Sequence, residues 1–176
     1  MQKEFIISGF GGQGILFIGK LLAYTGMKND YQVSWLPSYG PEMRGGTASC
    51  NVIISDDAIG SPLVTEATEV IAMNGPSFVK FEKSVAKGGT LYYDSSLVQP
   101  TPTRDDINYV GVEATKLATE MGMGKLANMF LVGKVLKESK VFELDVVFEA
   151  LKGLVPAKKP ELYDLNKKAI EAGANL

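Results

Sequence analysis

The sequence predicts a three-layer α/β fold with a mainly parallel sheet and a helical C-terminal cap. Over residues 1–112, short runs of β-branched and aromatic residues alternate with longer segments of helical periodicity, which is typical of parallel strands joined by helices. From residue 113 onward the patterns are helical only. We therefore expect a single domain over residues 1–176, with an α/β core over about 1–112 and a helical part over about 113–176.

The composition limits the function classes that the chain can serve. Of its 176 residues, 45% are hydrophobic and 22% are charged, and the formal net charge is −2. This is ordinary globular composition, and no basic excess indicates nucleic-acid binding. The N-terminal residues lead directly into a predicted strand, and no apolar run is long enough to span a membrane, so we expect a cytoplasmic protein.

The chain contains no histidine and one cysteine, Cys50. By itself it therefore cannot build a Ser-His or Cys-His catalytic pair, an imidazole metal site, an iron–sulfur cluster or an internal disulfide. We predict no catalytic and no metal-binding residue, so that any redox or metal cofactor would be held mostly by other chains. We expect Cys50 to be a small buried side chain within a strand.

A glycine-rich turn follows the first predicted strand, at residues 5–7. Gly9, Gly11 and Gly14 have the G-x-G-x-x-G spacing of the dinucleotide-binding turn in a Rossmann-like fold, and an apolar segment over residues 15–22 predicts that a helix over about 14–26 follows. These glycines either let helix and strand pack closely, or present backbone amides at the helix start to an anionic ligand. Because the helix is apolar nearly all round, we expect its own chain or a partner to cover both sides.

A P-loop is rejected for residues 14–20. Leu21 stands where such a loop needs serine or threonine to hold magnesium, and the residues between the glycines are bulky and apolar. The predicted second strand, residues 31–36, is followed by no acidic residue until Glu42, whereas a nicotinamide-binding fold uses an acid there for the ribose. This weighs against NAD.

The loop over residues 37–46 is predicted to overhang the same crevice as the glycine turn. Its Tyr39, Glu42 and Arg44 either act on a ligand or partner, or form a solvated turn with a weak ion pair. A strand over residues 47–54 follows too soon for a helical crossover, which makes an antiparallel neighbour a candidate and leaves its direction open.

Further along, strands are predicted over residues 69–74, 90–93 and 107–112, and a helix over 76–87 that Gly88 and Gly89 would end. Asn74 would face the crevice, whereas residues 94–96 are predicted to cap and turn the chain. Four helical patterns complete the chain, at residues 113–120, 128–136, 144–151 and 162–170.

Two motifs and one further residue together resemble the gamma subunit of the 2-oxoacid:ferredoxin oxidoreductases, whose members act on 2-oxoglutarate, 2-ketoisovalerate or pyruvate. In chain order they are Gly9-Phe10-Gly11-Gly12-Gln13-Gly14, Ser38-Tyr39-Gly40-Pro41-Glu42-Met43-Arg44-Gly45-Gly46 and Asn74. The glycine turn alone identifies no family, but the pair of motifs is specific. The resemblance is strong to about residue 96 and looser through the helix near Asn128.

The resemblance implies a small subunit of a hetero-oligomer with alpha and beta subunits and, in some complexes, a delta subunit. Such complexes oxidatively decarboxylate a 2-oxoacid with coenzyme A, which yields acyl-CoA, CO₂ and reduced ferredoxin. Thiamine diphosphate, Mg²⁺ and 4Fe–4S clusters belong to the other subunits, so this chain alone would hold no cofactor and be inactive. The Trp-Leu-Pro at residues 35–37 resembles 2-oxoglutarate and branched-chain members more than pyruvate members, and we predict 2-oxoglutarate.

The candidate residues for ligand or subunit contact form one predicted surface, which could hold the phosphates of coenzyme A or dock a loop of the alpha subunit. They are Gly9, Gly11, Gly12, Gln13, Gly14, Ser38, Tyr39, Gly40, Glu42, Arg44 and Asn74. Two other hypotheses stay open: a stand-alone NAD(P)-binding enzyme, and a purely structural subunit whose glycine turn binds nothing.

Overall fold

The computed structural model describes residues 1–38 and 47–176. The strands are β1 (Gln2–Phe10), β2 (Gln32–Ser38), β3 (Thr47–Ser55), β4 (Ala67–Ala72), β5 (Val85–Asp94) and β6 (Asn108–Val112). The helices are α1 (Ile15–Lys28), α2 (Gly75–Phe81), α3 (Ala114–Glu120), α4 (Ala127–Ser139), α5 (Leu144–Leu154) and α6 (Glu161–Ala174). These strands form one sheet in the order β2-β3-β1-β4-β5-β6.

The sheet is mainly parallel with one reversed strand. β1, β4, β5 and β6 run parallel to one another, whereas β3 pairs antiparallel with both β1 and β2. Cys50 of β3 stands opposite Ile7 on one side and Pro37 on the other, so β2 runs in the direction of β1. The predicted α/β class is confirmed, and the direction of the third strand, left open by the sequence, is antiparallel.

One face of the sheet carries most of the helices. α1 packs on β1, β2 and β3 and also contacts α4 and α5, so its own chain covers both of its sides. The core on this face combines residues from the first and last thirds of the chain, including Phe5, Ile7, Ile18, Leu22, Cys50, Val52, Ile71, Tyr92, Met129, Phe130, Leu151 and Ile170. Helices after residue 113 therefore share the core of the sheet instead of forming a core of their own.

The opposite face has a thinner cover. Its smaller core is closed by the short helix α2, through Phe78, and by loop residues such as Val64 and Val98. Since Ile6 packs on this face whereas Phe5 and Ile7 pack on the other, β1 is apolar at consecutive positions, as expected of a strand buried on both faces. The sheet is thus the middle of three layers, one thick and one thin.

The helix predicted over residues 76–87 is too long by six residues at its end. α2 ends at Phe81, a 3-10 turn follows over Glu82–Ser84, and Val85 already pairs with Ala67 in the sheet. Gly88 and Gly89 therefore lie within β5 and do not end a helix. The tertiary contacts that override the helical pattern are burial of Val85 in the thin-face core and the hydrogen bonds that Glu82 accepts from Thr103.

Asp94, at the end of β5, caps the chain as the sequence predicts. Its buried carboxylate accepts hydrogen bonds from Ser96 N at 3.0 Å and from the backbone N and Oγ1 of Thr115, at 3.2 and 2.5 Å. Thr115 lies in the first turn of α3, so Asp94 satisfies amide groups that the helix start leaves unpaired. Among the residues described, no helix combines the length and apolarity that crossing a bilayer requires.

Candidate functional site

The candidate site lies at the carboxyl ends of β1 and β4. From β1 the chain passes through α1 to the edge strand β2, whereas β4 lies on the other side of β1. Strand order reverses at this point, and open α/β sheets bind ligands in the crevice beyond such a reversal. The predicted site residues Gly9 to Gly14 and Asn74 meet here, where Met73 N donates to Ser8 O at 2.8 Å.

Three glycines of the turn stand at positions where the structure disfavours a larger residue, each for a different reason. Gln13 N donates to Phe10 O at 3.2 Å, which closes a tight turn whose third residue, Gly12, has a φ of 91°. Gly14 also has a positive φ, 76°, and a Cβ there would stand 2.2 Å from Asn128 Nδ2. At Gly9 the backbone is unstrained, but a Cβ would meet Gln13 Oε1 at 2.6 Å.

The side chain of Gln13 closes the crevice from within. Its Oε1 accepts a hydrogen bond from Phe10 N at 2.6 Å, and its Nε2 donates to Met73 O at 3.1 Å. One amide thus joins the carboxyl ends of β1 and β4. In a dinucleotide-binding turn the pyrophosphate must approach the backbone of the glycines closely. Here the side chain of Gln13 occupies the space between the ends of β1 and β4 that a pyrophosphate would need.

Asn74 is buried and caps α2. Its Oδ1 accepts from Ser77 N at 2.8 Å, while its Nδ2 has no hydrogen-bond partner among the described residues. Below it, Ser8 Oγ donates to Ala48 O at 3.0 Å and lies 3.0 Å from Ser77 Oγ. These buried polar groups tie β1, β3 and α2 together beneath the turn, which makes the crevice floor a rigid joint.

The outer side of the glycine turn carries a shallow apolar pocket of about 280 Å³. It is lined by Phe10, Gly11, Gly12, Gly14, Ile15, Leu16, Phe17 and Ala48. Phe10 is 41% exposed, although it is a large apolar residue. Among the described residues, this lining contains no ionisable group, and it suits an apolar contact from another protein segment.

The second predicted motif is only partly described. Ser38, at the end of β2, is exposed and pairs through its backbone with Ser49, which pairs on its other side with Ser8. Ser38 is therefore two strands, about 10 Å, from the start of the glycine turn. Tyr39, Gly40, Glu42 and Arg44 lie outside the described residues. Whether they join the glycine turn stays a prediction.

Asn128 is the site residue that sequence reasoning missed. It is buried on α4, its Nδ2 lies 3.4 Å from Gly14 O, and its Oδ1 has no partner in the described part of the chain. The signal was available, because Asn128 is the polar residue that interrupts the apolar stretch from 127 to 132. A buried asparagine in such a stretch needs polar partners, and here Gly14 supplies the contact.

Cys50 is buried in the middle of β3, as predicted, with its Sγ 3.8 Å from Ile15 O. Burial raises the pKa of its thiol to about 12, and weaker hydrogen bonding to Trp35 and Gly19 lowers it only in part. The thiol is therefore protonated and unreactive at neutral pH.

Comparison with known proteins gives one consistent result. A sequence profile of the pyruvate ferredoxin/flavodoxin oxidoreductase family matches residues 4–176. The ketoisovalerate oxidoreductase subunit VorA of Methanothermobacter marburgensis is 36% identical over 169 residues, 96% of this chain and 35% of that protein. The 2-oxoglutarate synthase subunit KorC of the same organism is 34% identical over 184 residues, 100% of this chain and 97% of that protein.

A crystal structure agrees with these relatives. The gamma subunit of a keto/oxoacid ferredoxin oxidoreductase from Geobacter sulfurreducens has a TM-score of 0.83 at 27% identity, and the match covers 98% of this chain and 96% of that one. The chain thus spans about a third of the VorA relative and nearly all of the KorC relative. Because the profile covers nearly its whole length, the chain belongs to the pyruvate ferredoxin/flavodoxin oxidoreductase family.

Proposed function

We propose that this chain is the gamma-type subunit of a hetero-oligomeric 2-oxoacid:ferredoxin oxidoreductase that acts on 2-oxoglutarate. The observation that carries the proposal is the glycine turn. Gln13 closes it to a nucleotide, and an apolar pocket lies on its outer side. A subunit that docks through this turn and takes no direct part in the chemistry fits that geometry. The cytoplasmic location stays part of the proposal.

Family membership and chain length support the subunit role. The relative named as a 2-oxoglutarate synthase subunit matches nearly end to end, which favours 2-oxoglutarate. The relative named for ketoisovalerate is of similar identity but about three times as long, so a branched-chain 2-oxoacid is the competing substrate. Coenzyme A would be the co-substrate and ferredoxin the electron acceptor of the assembled complex.

The alternative of a stand-alone NAD(P)-binding enzyme is disfavoured by two observations. Gln13 occupies the space between the ends of β1 and β4, and β2 ends at Ser38 without an acidic residue for the ribose. We therefore propose that the alpha and beta subunits hold thiamine diphosphate and Mg²⁺, and that the beta subunit or a delta subunit holds the 4Fe–4S clusters.

Purification of the chain from its own cells tests the proposal directly. A tagged chain is isolated without oxygen, the mass of the complex is measured, and the complex is assayed for iron and thiamine diphosphate. We expect larger partner subunits and both cofactors, and a panel of 2-oxoacids then shows highest activity with 2-oxoglutarate. Isolation of a lone chain without cofactors would reject the subunit role, and a preference for a branched-chain 2-oxoacid would reject only the substrate.

A pair of charge substitutions tests the docking surface. Phe10→Glu places a charge on the apolar pocket at the glycine turn, whereas Met27→Glu places the same charge at an exposed apolar position at the other end of α1. Both sites are on the surface, so both variants should fold. We expect Phe10→Glu to reduce the amount of copurified partner at least about tenfold, the loss typical of an interface hot spot, and Met27→Glu to leave it unchanged. Equal assembly of both variants would place the docking surface elsewhere.

The role of coenzyme A at this surface needs its own experiment. Arg44→Ala removes the cation that could bind a phosphate of coenzyme A, and the affinity for coenzyme A is measured on the assembled complex. A lower affinity with intact assembly supports a phosphate contact from this chain. An unchanged affinity with weakened assembly assigns Arg44 to subunit docking.

A further inference from the structure

The amino ends of the parallel strands, opposite the glycine turn, surround a larger cavity of about 640 Å³. Strand register places one residue of each parallel strand in a row across the sheet: Phe5 of β1, Glu69 of β4, Thr90 of β5 and Asn108 of β6. The next row toward the glycine turn is Ile7, Ile71, Tyr92 and Val110. From the glycine turn toward the amino ends of the strands, this face of the sheet thus changes from a mainly apolar row, with Ile71, to a mainly polar row, with Glu69.

Glu69 forms the floor of this cavity and is 4% exposed. Its Oε1 accepts a hydrogen bond from Lys3 Nζ at 2.7 Å, and its Oε2 has no partner among the described residues. Parallel strands that are buried on both faces usually carry apolar residues at such positions. A buried carboxylate with one oxygen unpaired is unfavourable for stability, so its presence calls for a role other than packing.

The cavity wall carries charges of both signs, because Glu69 and Glu138 line it together with Lys3 and Lys87. α4 ends at Ser139, and Glu138 and Ser139 of its last turn line the same cavity, so the negative end of the helix dipole lies beside it. Burial in the first place, followed by the negative charge of Glu69 and hydrogen bonding to its carboxylate, raises the pKa of Tyr92 well above its ordinary value, and the charge of Glu138 adds a smaller effect. The Tyr92 hydroxyl is therefore a neutral group beside the Glu69 carboxylate.

An irregularity in β5 makes room for the cavity. Ala67 pairs with Val85 but Glu69 pairs with Thr90, so β5 contains extra residues, 86–89, that bulge from the sheet. The carbonyl groups of Gly88 and Gly89 are fastened by Asn108 Nδ2 at 3.2 and 3.4 Å, which fixes the bulge as a rim. Bulges of this kind are frequent beside binding sites.

Two cations also line the cavity, and each has a counter-charge. Lys3 forms an ion pair with Glu69. Lys87 lies in the bulge, and the pKa of Asp106 is lowered mainly by Arg104 and to a smaller extent by the charge of Lys87. Glu138 is paired with Lys134 at 2.7 Å but is half exposed. Of the acceptors that line the cavity, Glu69 Oε2 is the buried one with no partner in the described part of the chain.

We propose that this cavity binds a small organic cation, an alkylammonium or alkylguanidinium group, through the carboxylate of Glu69 on the side not occupied by Lys3. The Lys3 ammonium at 2.7 Å already shows that the floor accepts this type of group. Glu69 Oε2 is buried, so binding requires a rotation about the last side-chain torsion, which is soft in glutamate, to present this oxygen to the ligand. A metal ion fits less well, because the described residues hold no group of three or more side chains able to ligate one.

NMR titration of the full ¹⁵N-labelled chain tests the proposal, with n-butylguanidinium and n-butylammonium as cationic probes and n-butylurea as the neutral probe of similar shape. Ionic strength is kept constant, so that general screening does not change. We expect saturable shifts at Gly88, Gly89 and Asn108 with a cationic probe and none with the urea. Absence of a saturable shift with both cations, or equal binding of the urea, would overturn the proposal.

Variants locate the binding carboxylate. Glu69→Gln keeps an acceptor for Lys3 but removes the charge, and we expect roughly tenfold or greater loss of affinity, as for a hydrogen bond to a charged group. Glu149→Gln, an exposed carboxylate paired with Lys152 far along the chain, should bind as the wild type does. If Glu69→Gln does not fold, Glu138→Gln takes its place, and a severalfold loss is expected because that carboxylate faces the same cavity. Unchanged affinity in the variant that folds would contradict the assignment.

Discussion

The two ends of the sheet join β1 to β4 through polar side chains, but with different results. At the carboxyl end, Gln13 bonds Phe10 N and Met73 O, so the side chain that joins the strands has both of its polar atoms satisfied, although Asn74 Nδ2 and Asn128 Oδ1 nearby have no partner among the described residues. At the amino end, Lys3 and Glu69 also connect the two strands, yet one carboxylate oxygen is unpaired and a cavity stands above it. A strand-order reversal therefore makes a ligand site possible, and the side chains that fill it decide whether one exists.

The largest expected effect is at the carboxyl end. Gly14→Ala would place a methyl group 2.2 Å from Asn128 Nδ2 at a positive φ, and we expect a loss of about 3 kcal/mol in the free energy of unfolding from strain and overpacking together. Gly12→Ala is the matched control, since Gly12 also has a positive φ but has open space around it. It should lose only about 1 kcal/mol. Urea denaturation measures both, and equal losses would show that the joint is loosely packed.

At the amino end, the stability of the protein should depend on the charged pair of Lys3 and Glu69. Lys3→Met removes the cation that pairs with a buried carboxylate, and because Lys3 is partly exposed we expect a loss of about 2 kcal/mol, less than for a fully buried pair. The double variant Lys3→Met/Glu69→Leu replaces both charges by apolar groups and should be at least as stable as the wild type. Urea denaturation measures the free energy of unfolding of the two variants. A double variant less stable than Lys3→Met would show that the ion pair itself stabilises the fold.

The buried carboxylate of Glu82 offers a contrast to that of Glu69. Burial alone would raise the pKa of Glu82, but hydrogen bonds from Thr103 and Tyr109, with the charge of Arg104, lower it below the ordinary value. A lowered pKa in the folded state stabilises the protein at neutral pH, and this contribution disappears as the pH falls through the acidic range. We expect Glu82→Gln to lose about 1 to 2 kcal/mol at pH 7 and the gap to wild type to narrow toward about pH 3. A gap that stays constant over this range would contradict the lowered pKa.

The last prediction concerns the reactivity of Cys50, which lies in β3 between the two ends, and expects no change in stability. With its pKa raised to about 12, its thiolate fraction at pH 9 should be roughly a thousandfold smaller than that of a free thiol. Alkylation by iodoacetamide, followed by mass spectrometry, should therefore be slow in the folded chain and fast in urea. Rapid alkylation of the folded chain would show that β3 opens readily between β1 and β2.

The sequence by itself determined the fold class, the order of strands and helices, and the family. Hydrophobic periodicity marks strands and helices locally, and the glycine spacing marks the turn, because both depend on residues that are near one another in the chain. The burial of Cys50 and the capping role of Asp94 followed from the same local patterns.

Only the tertiary structure decided what fills the space between strands. The antiparallel insertion of β3, the early end of α2, and the contact of Asn128 with Gly14 all join residues distant in sequence. So do the two ends of the sheet: Gln13 meets Met73, and Lys3 meets Glu69, across about sixty residues each. No local pattern encodes such pairs, because their free energy arises only when packing brings the strands together.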